Sequence, residues 1–411
     1  MISVEEAVEE ILSRVGTLGD ERVELVDALD RILAEEIVSH REIPPWPNSS
    51  MDGWAVRSAD TGGAAPERPA RLLAAGRVAA GAVAARALRA GEACRIFTGA
   101  PLPEGADAVI PQEDVSTDGD DVLVSAPVAA GAYVRPRGED LRPGDRVLAP
   151  GRRLGSADIG VLATLGHHQV RVIRRPRVGI LSTGDEIVDL GGTLGPGQIP
   201  NSNTYSLMAQ VREAGGEPVN LGVARDALED IERRLRAGLG TDLLISSAGV
   251  SVGDHDFVKA ALGRLGAEQH LWLVNMRPGK PITFATVPPG PGGQGKNALP
   301  VFGLPGNPVS AMVTFELFVR PALRRLAGHT HLHRPVVRAR ALGLIANPGS
   351  RRGYLRVTLE HGADGIGARL TGDQGSGILR SMVAADGLAV IAGDTTVPEG
   401  APVDVIVLRT A

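Results

Sequence analysis

Cysteine is almost absent: Cys94 is the only one in 411 residues. An internal disulfide is therefore excluded, as is a metal site built on cysteines. Aromatic residues are scarce at 3%, and Ala, Arg, Gly and Pro take up the difference. Basic charge is also thin, since the formal net charge is −5 and the longest basic cluster is "RRPR" at 174–177. That is too little for a footprint on a phosphate backbone, which excludes nucleic acid as a partner. No run reaches the roughly 18 apolar residues of a membrane helix. The first residues, "MISVEEAVEEILSRV", are acidic and apolar at helical spacing, without the basic start and apolar core of a signal peptide. A soluble cytoplasmic protein is expected.

What is present is globular. Hydrophobic residues make up 43% and charged residues 22%, enough to bury a sizeable core in two to four domains. The 53 glycines and 29 prolines imply many turns and short strands. Residues 1–38 read as helices, ending before "IPPWPNSSMDGW". The Ala/Arg/Gly-rich tract 62–92 has the alanine content of a helix, but Gly76, Gly81 and Gly91 interrupt it at spacings that suit short strands. "SADIGVLATLG" then reads as a helix.

From "RVGIL" onward, apolar runs of four to six residues alternate with helical patterns at 204–214, 227–237, 256–265 and 308–320. Such alternation predicts a parallel-rich sheet with helices on both faces, and "LWLVNM" with "PITFATV" reads as a strand pair joined to it. "PPGPGGQGKN" would be the turn that follows. After about residue 328 only short strands remain, giving a small all-β domain, sandwich or barrel.

Ligands in open α/β sheets bind beyond the carboxyl ends of the strands. Here "RVGIL" runs into Ser182, Thr183, Gly184, Asp185 and Glu186, and "PVNLGVA" into Arg225 and Asp226. "DLLIS" runs into Ser247, Gly249, Ser251, Gly253, Asp254 and Asp256, and "VFGL" into Pro305, Gly306 and Asn307. Taken alone, Asn307–Pro308 is a well-made helix start, with a capping residue and a proline at the first helical position. The same helix start would also seat an anion. "NMRPGKPITF" adds Arg277 and Lys280 on a proline-restricted loop, a planar donor fork and a point charge suited to an oxyanion. His255 has no second histidine at metal spacing. Carboxylates beside anion-binding groups suggest a phosphorylated substrate with Mg²⁺ bridging.

The motifs "NSSMDGWAVR", "RIFTGAPLPEGADAVIPQED", "RGEDLRPGD", "STGDEIV", "GVSVGDHDF", "MRPGKPITF", "GLPGNPVS" and "TGDQGSGILRSM" occur in this order. Together they resemble the molybdopterin molybdenumtransferase family, which includes the E domain of gephyrin. The resemblance implies a multidomain α/β plus β protein. An elongated N-terminal α+β domain (1–45 plus 137–172) would carry an inserted β-rich domain (46–136). A central α/β molybdopterin-binding domain (173–326) and a C-terminal β-barrel-like domain (327–411) would follow. It further implies a homodimer with a shared active site, and Mg²⁺-dependent insertion of molybdate into adenylylated molybdopterin, releasing AMP and molybdenum cofactor. The partners it implies are a molybdopterin adenylyltransferase and molybdoenzymes. The other activities weighed are that adenylyltransferase reaction, which is carried by a single small domain, and a gephyrin-like scaffold.

Position by position, the resemblance places the oxyanion pocket on Arg277, Lys280, Ser310, Arg352 and Ser376, with Arg351 as the alternative in "NPGSRRGYLRV". It places functional carboxylates at Asp52, Asp140, Glu186, Asp226 and Asp256, the last three of which would hold Mg²⁺. Thr98 and Arg135 match positions contributed to the neighbouring subunit. Thr183, Gly184, Asp185, Ser251, Gly253, Pro305, Gly306 and Asn307 would line the substrate. Leu273, Pro47 and Ala248 depart from the family pattern, where Lys, an acidic residue and Gly are common.

Overall fold

The computed structural model describes residues 1–248, 257–289, 298–363 and 365–409. The chain divides into two compact units: Met1–Ala34 with Gly151–Gly155 and Gln169–Ala411, and Glu35–Pro150 with Ser156–His168. Ser251, Gly253 and Asp256, with Gly249, Asp254 and His255, lie outside the described residues, as does most of "PPGPGGQGKN".

The larger unit is built on a six-stranded sheet. In spatial order its strands are Glu217–Ala224, Arg177–Thr183, Leu243–Ser247, Leu299–Leu304, Pro281–Val287 and Glu268–Leu273. The first four run parallel, and the last two add antiparallel, as the pairing of "LWLVNM" with "PITFATV" anticipates. Arg177–Thr183 is buried on both faces after its first residue, which is why it reads as an unbroken apolar run. One face meets the helices Leu228–Ala237 and Phe257–Arg264 through Leu181, Leu244, Ile231, Leu235, Val258 and Leu262. The other face buries Val178, Ile180, Ile245 and Phe302 against Leu207 and Val211 of the helix Ser202–Glu213, and against Ile11 of the helix Val4–Ser13. Each fully buried aliphatic side chain contributes about 1.5–3 kcal/mol.

Residues 1–38 depart from the all-helical expectation. The first helix stops at Ser13, and Asp20–Glu24 forms a strand paired antiparallel with Gln169–Ile173. Gly16 and Gly19 break the helical run, and a partner some 150 residues away decides the conformation beyond them. The 308–320 pattern is helical and extends further, through Pro308–Thr314, a π-helical turn Phe315–Val319, and Arg320–Leu326.

At the C-terminal end, five strands close into a ring. Arg352–Gly362 pairs with Gly365–Leu370, which pairs with Val336–Ala341, then Pro402–Val407, then Gly387–Ile391, and back to Arg352–Gly362. A short helix, Leu379–Ala384, interrupts this otherwise β region.

The smaller unit holds a second six-stranded sheet. Its order is Ala108–Pro111, Gly53–Val56, Glu92–Ile96, Ala70–Val78, Asp121–Val124 and Val115–Asp118. The tract 62–92 supplies a strand rather than a helix, but one of nine residues, Ala70–Val78, that runs through Gly76 instead of the short strands expected. "SADIGVLATL" is the helix Ser156–Leu165. Among the described residues, no helix is long and apolar enough to cross a membrane.

Candidate active site

The four parallel strands end level. Thr183 stands beside Ala224, Ser182 beside Ser247, and Ser247 beside Leu304. From Arg177–Thr183 the chain moves outward to Glu217–Ala224, then crosses back to Leu243–Ser247 on the other side. The strand order therefore reverses between Thr183 and Ser247, the place where an open α/β sheet leaves a crevice.

The turn after Thr183 depends on one glycine. Gly184 has φ +137°, and a Cβ there would overlap the Glu186 carboxylate, which folds back over it. Its N–H donates to the Ala224 carbonyl (3.2 Å), and Asp185 Oδ1 accepts from the Asp226 N–H (3.2 Å). The turns 183–186 and 224–226 are thereby tied together, and Asp185, Glu186 and Asp226 stand exposed on them. Behind them Ser182 and Thr204 share a hydroxyl–hydroxyl bond of 2.7 Å, and Asn201 caps the helix Ser202–Glu213.

Across the crevice Ala248 has φ +73°, a conformation that glycine adopts without strain. A glycine at 248 would carry no such strain. The Ala248 N–H donates to the Leu304 carbonyl (3.0 Å), which joins this strand end to the Pro305–Gly306–Asn307 turn.

Three segments and one buried cation meet at that turn. Asn307 occupies the N-cap position with Pro308 after it, yet its side chain makes no capping bond. Instead Asn307 Nδ2 donates to Ser376 Oγ (3.1 Å), while the Val309 N–H donates to the Ser376 carbonyl (3.1 Å). The helix start therefore offers fewer open N–H groups than the sequence suggests, because Pro308 has none and that of Val309 is taken. Ser310 is buried on the first turn.

The Arg277 loop packs on this same helix. Gly279 has φ +98°, and a Cβ there would run into Thr314 Cγ2. Arg277 Nη1 donates to the Pro348 carbonyl (3.0 Å), and Met276–Arg277 pairs with Arg352–Gly353. Lys280 is exposed, and its ammonium has no partner among the described residues.

Arg352 does not join this group, because its guanidinium pairs with Glu5 on the first helix. Arg351 Nη1 reaches the Met276 carbonyl (3.4 Å). The arginine that does join is Arg356, which the sequence reading missed. It is fully buried, its Nη2 donates to the Gly375 carbonyl (3.0 Å), and its Nε donates to Ser381 Oγ (3.0 Å). Nη1 is buried without a partner among the described residues, and no carboxylate there is in contact with the charge. Burial pushes this guanidinium down to about 10; the nearby Asp373 opposes that shift and Arg277 adds to it. Arg356 thus brings a buried guanidinium next to Ser376, with Nη1 not used by any described residue.

The remaining positions gather in the smaller unit. Asp52 Oδ1 accepts from both the N–H (2.8 Å) and the hydroxyl (2.7 Å) of Thr98. These two bonds hold the Asp52 carboxyl below its ordinary range. Arg135 pairs through its backbone with Asn48, four residues before Asp52, and the Asp140 N–H donates to the Ile43 carbonyl (2.9 Å). Among the described residues, no group of three or more His, Cys, Asp or Glu stands together as a metal cage.

Comparison with known proteins identifies the family. Residues 2–166 match the MoeA N-terminal region (domains I and II), residues 179–325 a probable molybdopterin binding domain, and residues 338–408 the MoeA C-terminal region (domain IV). The chain is 38% identical to the molybdopterin molybdenumtransferase of a Nostoc species, over all of this chain and 94% of that protein. It is 34% identical to that of Bacillus subtilis, over 99% and 94%. The crystal structure of the molybdopterin biosynthesis MoeA protein from Pyrococcus horikosii superposes with a TM-score of 0.83 at 34% identity, covering 100% of both chains. The chain belongs to the molybdopterin molybdenumtransferase (MoeA) family.

Proposed function

We propose that this protein is the enzyme that inserts molybdate into adenylylated molybdopterin, releasing AMP and molybdenum cofactor. The observation that supports the reading is Arg356, a buried guanidinium that holds the Gly375 carbonyl next to Ser376, whose hydroxyl is in turn held by Asn307. Molybdate is a tetrahedral dianion, and charge-assisted hydrogen bonds from a guanidinium fork suit it. Arg277, Lys280 and Arg356 supply the charge, and the Ser310 and Ser376 hydroxyls supply further donors. The crevice at the strand ends takes the pterin and its phosphates, lined by Thr183, Gly184, Asp185 and the Pro305–Asn307 turn.

Carboxylate oxygens next to substrate phosphates fit Mg²⁺, which takes one or two protein carboxylates rather than a full protein cage. Glu186 and Asp226, on the two tied turns, are the residues that would hold it. When bound, Mg²⁺ neutralises charge on the phosphates as the anhydride opens. In a homodimer, Asp52, Thr98, Arg135 and Asp140 would serve the neighbouring subunit's crevice.

The test combines purified protein, adenylylated molybdopterin, Mg²⁺ and graded molybdate. AMP release is expected to rise and saturate with molybdate, and release that ignores molybdate would overturn the reaction. ATP-dependent adenylylation of free molybdopterin by this protein would favour the adenylyltransferase reaction instead.

A further inference from the structure

The helix Ser202–Glu213 begins over the point where the strand order reverses, and its second residue, Asn203, makes two bonds across that point. Asn203 Nδ2 donates to Ser247 Oγ (2.8 Å), at the end of one strand, and to the Gly306 carbonyl (2.7 Å), in the turn after the next. A carbonyl can only accept, so Gly306 fixes which way the amide faces. Both amide hydrogens are then used, and Oδ1 is left buried with no partner among the described residues. This orientation is held for the sake of the two bonds that Nδ2 makes.

Those bonds lead directly to the oxyanion seat. Gly306 precedes Asn307, whose Nδ2 holds Ser376 Oγ (3.1 Å), and Arg356 holds the Gly375 carbonyl next to it (3.0 Å). On its other side Gly306 has little room, since a Cβ there would lie 3.3 Å from the Ala248 Cβ. Asn203 and Ala248 thus grip the turn from two directions.

We propose that Asn203 is a positioning residue for the oxyanion seat, fixing the Gly306–Asn307 turn against the end of the Leu243–Ser247 strand. The proposal rests on the reading of the seat given above. Asn203 need not touch either substrate, because it acts through Gly306 and Ser247.

The experiment measures molybdate-dependent AMP release and, independently of turnover, molybdate binding by calorimetry. The variants are Asn203→Ala, Asn203→Asp, Ser247→Ala and the Asn203→Ala/Ser247→Ala pair. Loosening the turn should raise the molybdate KM and Kd of Asn203→Ala by about tenfold, with kcat at saturating molybdate within about threefold of wild type. Asn203→Asp keeps the size but sets a carboxylate oxygen against the Gly306 carbonyl, so its KM should rise further. The double variant should match Asn203→Ala, because Ser247 acts through the same bonds. Three results would overturn the proposal: unchanged molybdate affinity in both Asn203 variants, an aspartate variant milder than the alanine one, or kcat lost together with a fall of more than about 5 °C in unfolding midpoint. Wild-type protein that binds molybdate but releases no AMP would sink the proposed reaction alone, and the calorimetric comparison would still decide the role of Asn203.

Discussion

Replacing Arg356 by Met should cost the protein its oxyanion and leave its fold in place. The side chain is fully buried and makes two hydrogen bonds, to Ser381 Oγ and the Gly375 carbonyl, while Nη1 has no partner among the described residues. One charge-assisted bond to the ligand is therefore at stake, worth about 1.5–3 kcal/mol. In affinity that is roughly a 10- to 150-fold rise in the molybdate Kd. Stability responds differently, because the two lost bonds are offset by no longer burying an unpaired charge. The unfolding midpoint should stay within about 3 °C of wild type. Arg356→Lys keeps the charge without the fork and should fall between the two proteins in affinity. Calorimetric titration with molybdate, checked with tungstate, reads all three. A Met variant that binds molybdate like wild type would refute the assignment of Arg356 to the seat.

Three further outcomes are expected. Gly279→Ala places a Cβ against Thr314 Cγ2 at φ +98° and should destabilise the protein by about 2 kcal/mol or more, loosening the Arg277–Lys280 loop and raising the molybdate Kd, as denaturant melts and calorimetry would show. Ala248→Gly removes an alanine from φ +73° and should stabilise by about 1 kcal/mol; a lower unfolding midpoint would contradict the strain argument. His329 is pushed down to about 4 by burial and by Arg324, Arg153 and Arg320, and its Nδ1 accepts from Arg324 Nη2 (3.1 Å). Its folded value lies below the unfolded one of about 6.5, so the unfolded chain binds the extra proton. The stability from this group is complete above about pH 6.5 and is lost as pH falls toward 4, up to about 3 kcal/mol. Urea melts of His329→Gln across that window should show a flatter acid limb than wild type.

The parts of the molecule that sequence made legible are those where one local signal decides the outcome. Arg177–Thr183 and Leu299–Leu304 are apolar runs bounded by glycine and polar turns, and strands buried on both faces need no distant information to be recognised. The polar residues after those strands could be placed on one crevice edge for the same reason. Asp20–Glu24 was not legible because its pairing partner lies far along the chain. "RRGYLRV" offers three arginines, and only the packing of the barrel strand shows that Arg356 is enclosed while Arg352 turns to Glu5. Asn307 looks like a helix cap from its neighbours, and the competing partner, Ser376, comes from a loop 69 residues later. Asn203 stands two residues after a capping asparagine, where a second one reads as more of the same. Its bonds to Ser247 and Gly306 are set by how the crossover connections bring three strand ends together.

The pairing of Glu5 with Arg352 spans 347 residues, and Ile2 bridges to Val274 in the same unit. During synthesis at about 5–20 residues per second, the first helix waits roughly 17–70 s for that arginine to exist. Until the strands and helices up to Leu326 have been made, Val4, Ala7 and Ile11 lack most of the core they enter. The smaller unit lacks nothing once His168 has been made, so it can fold while the larger one is still open at both ends. The newborn chain therefore carries a finished middle and an unfinished, apolar beginning, and that beginning is where a chaperone binding to nascent chains would be retained longest.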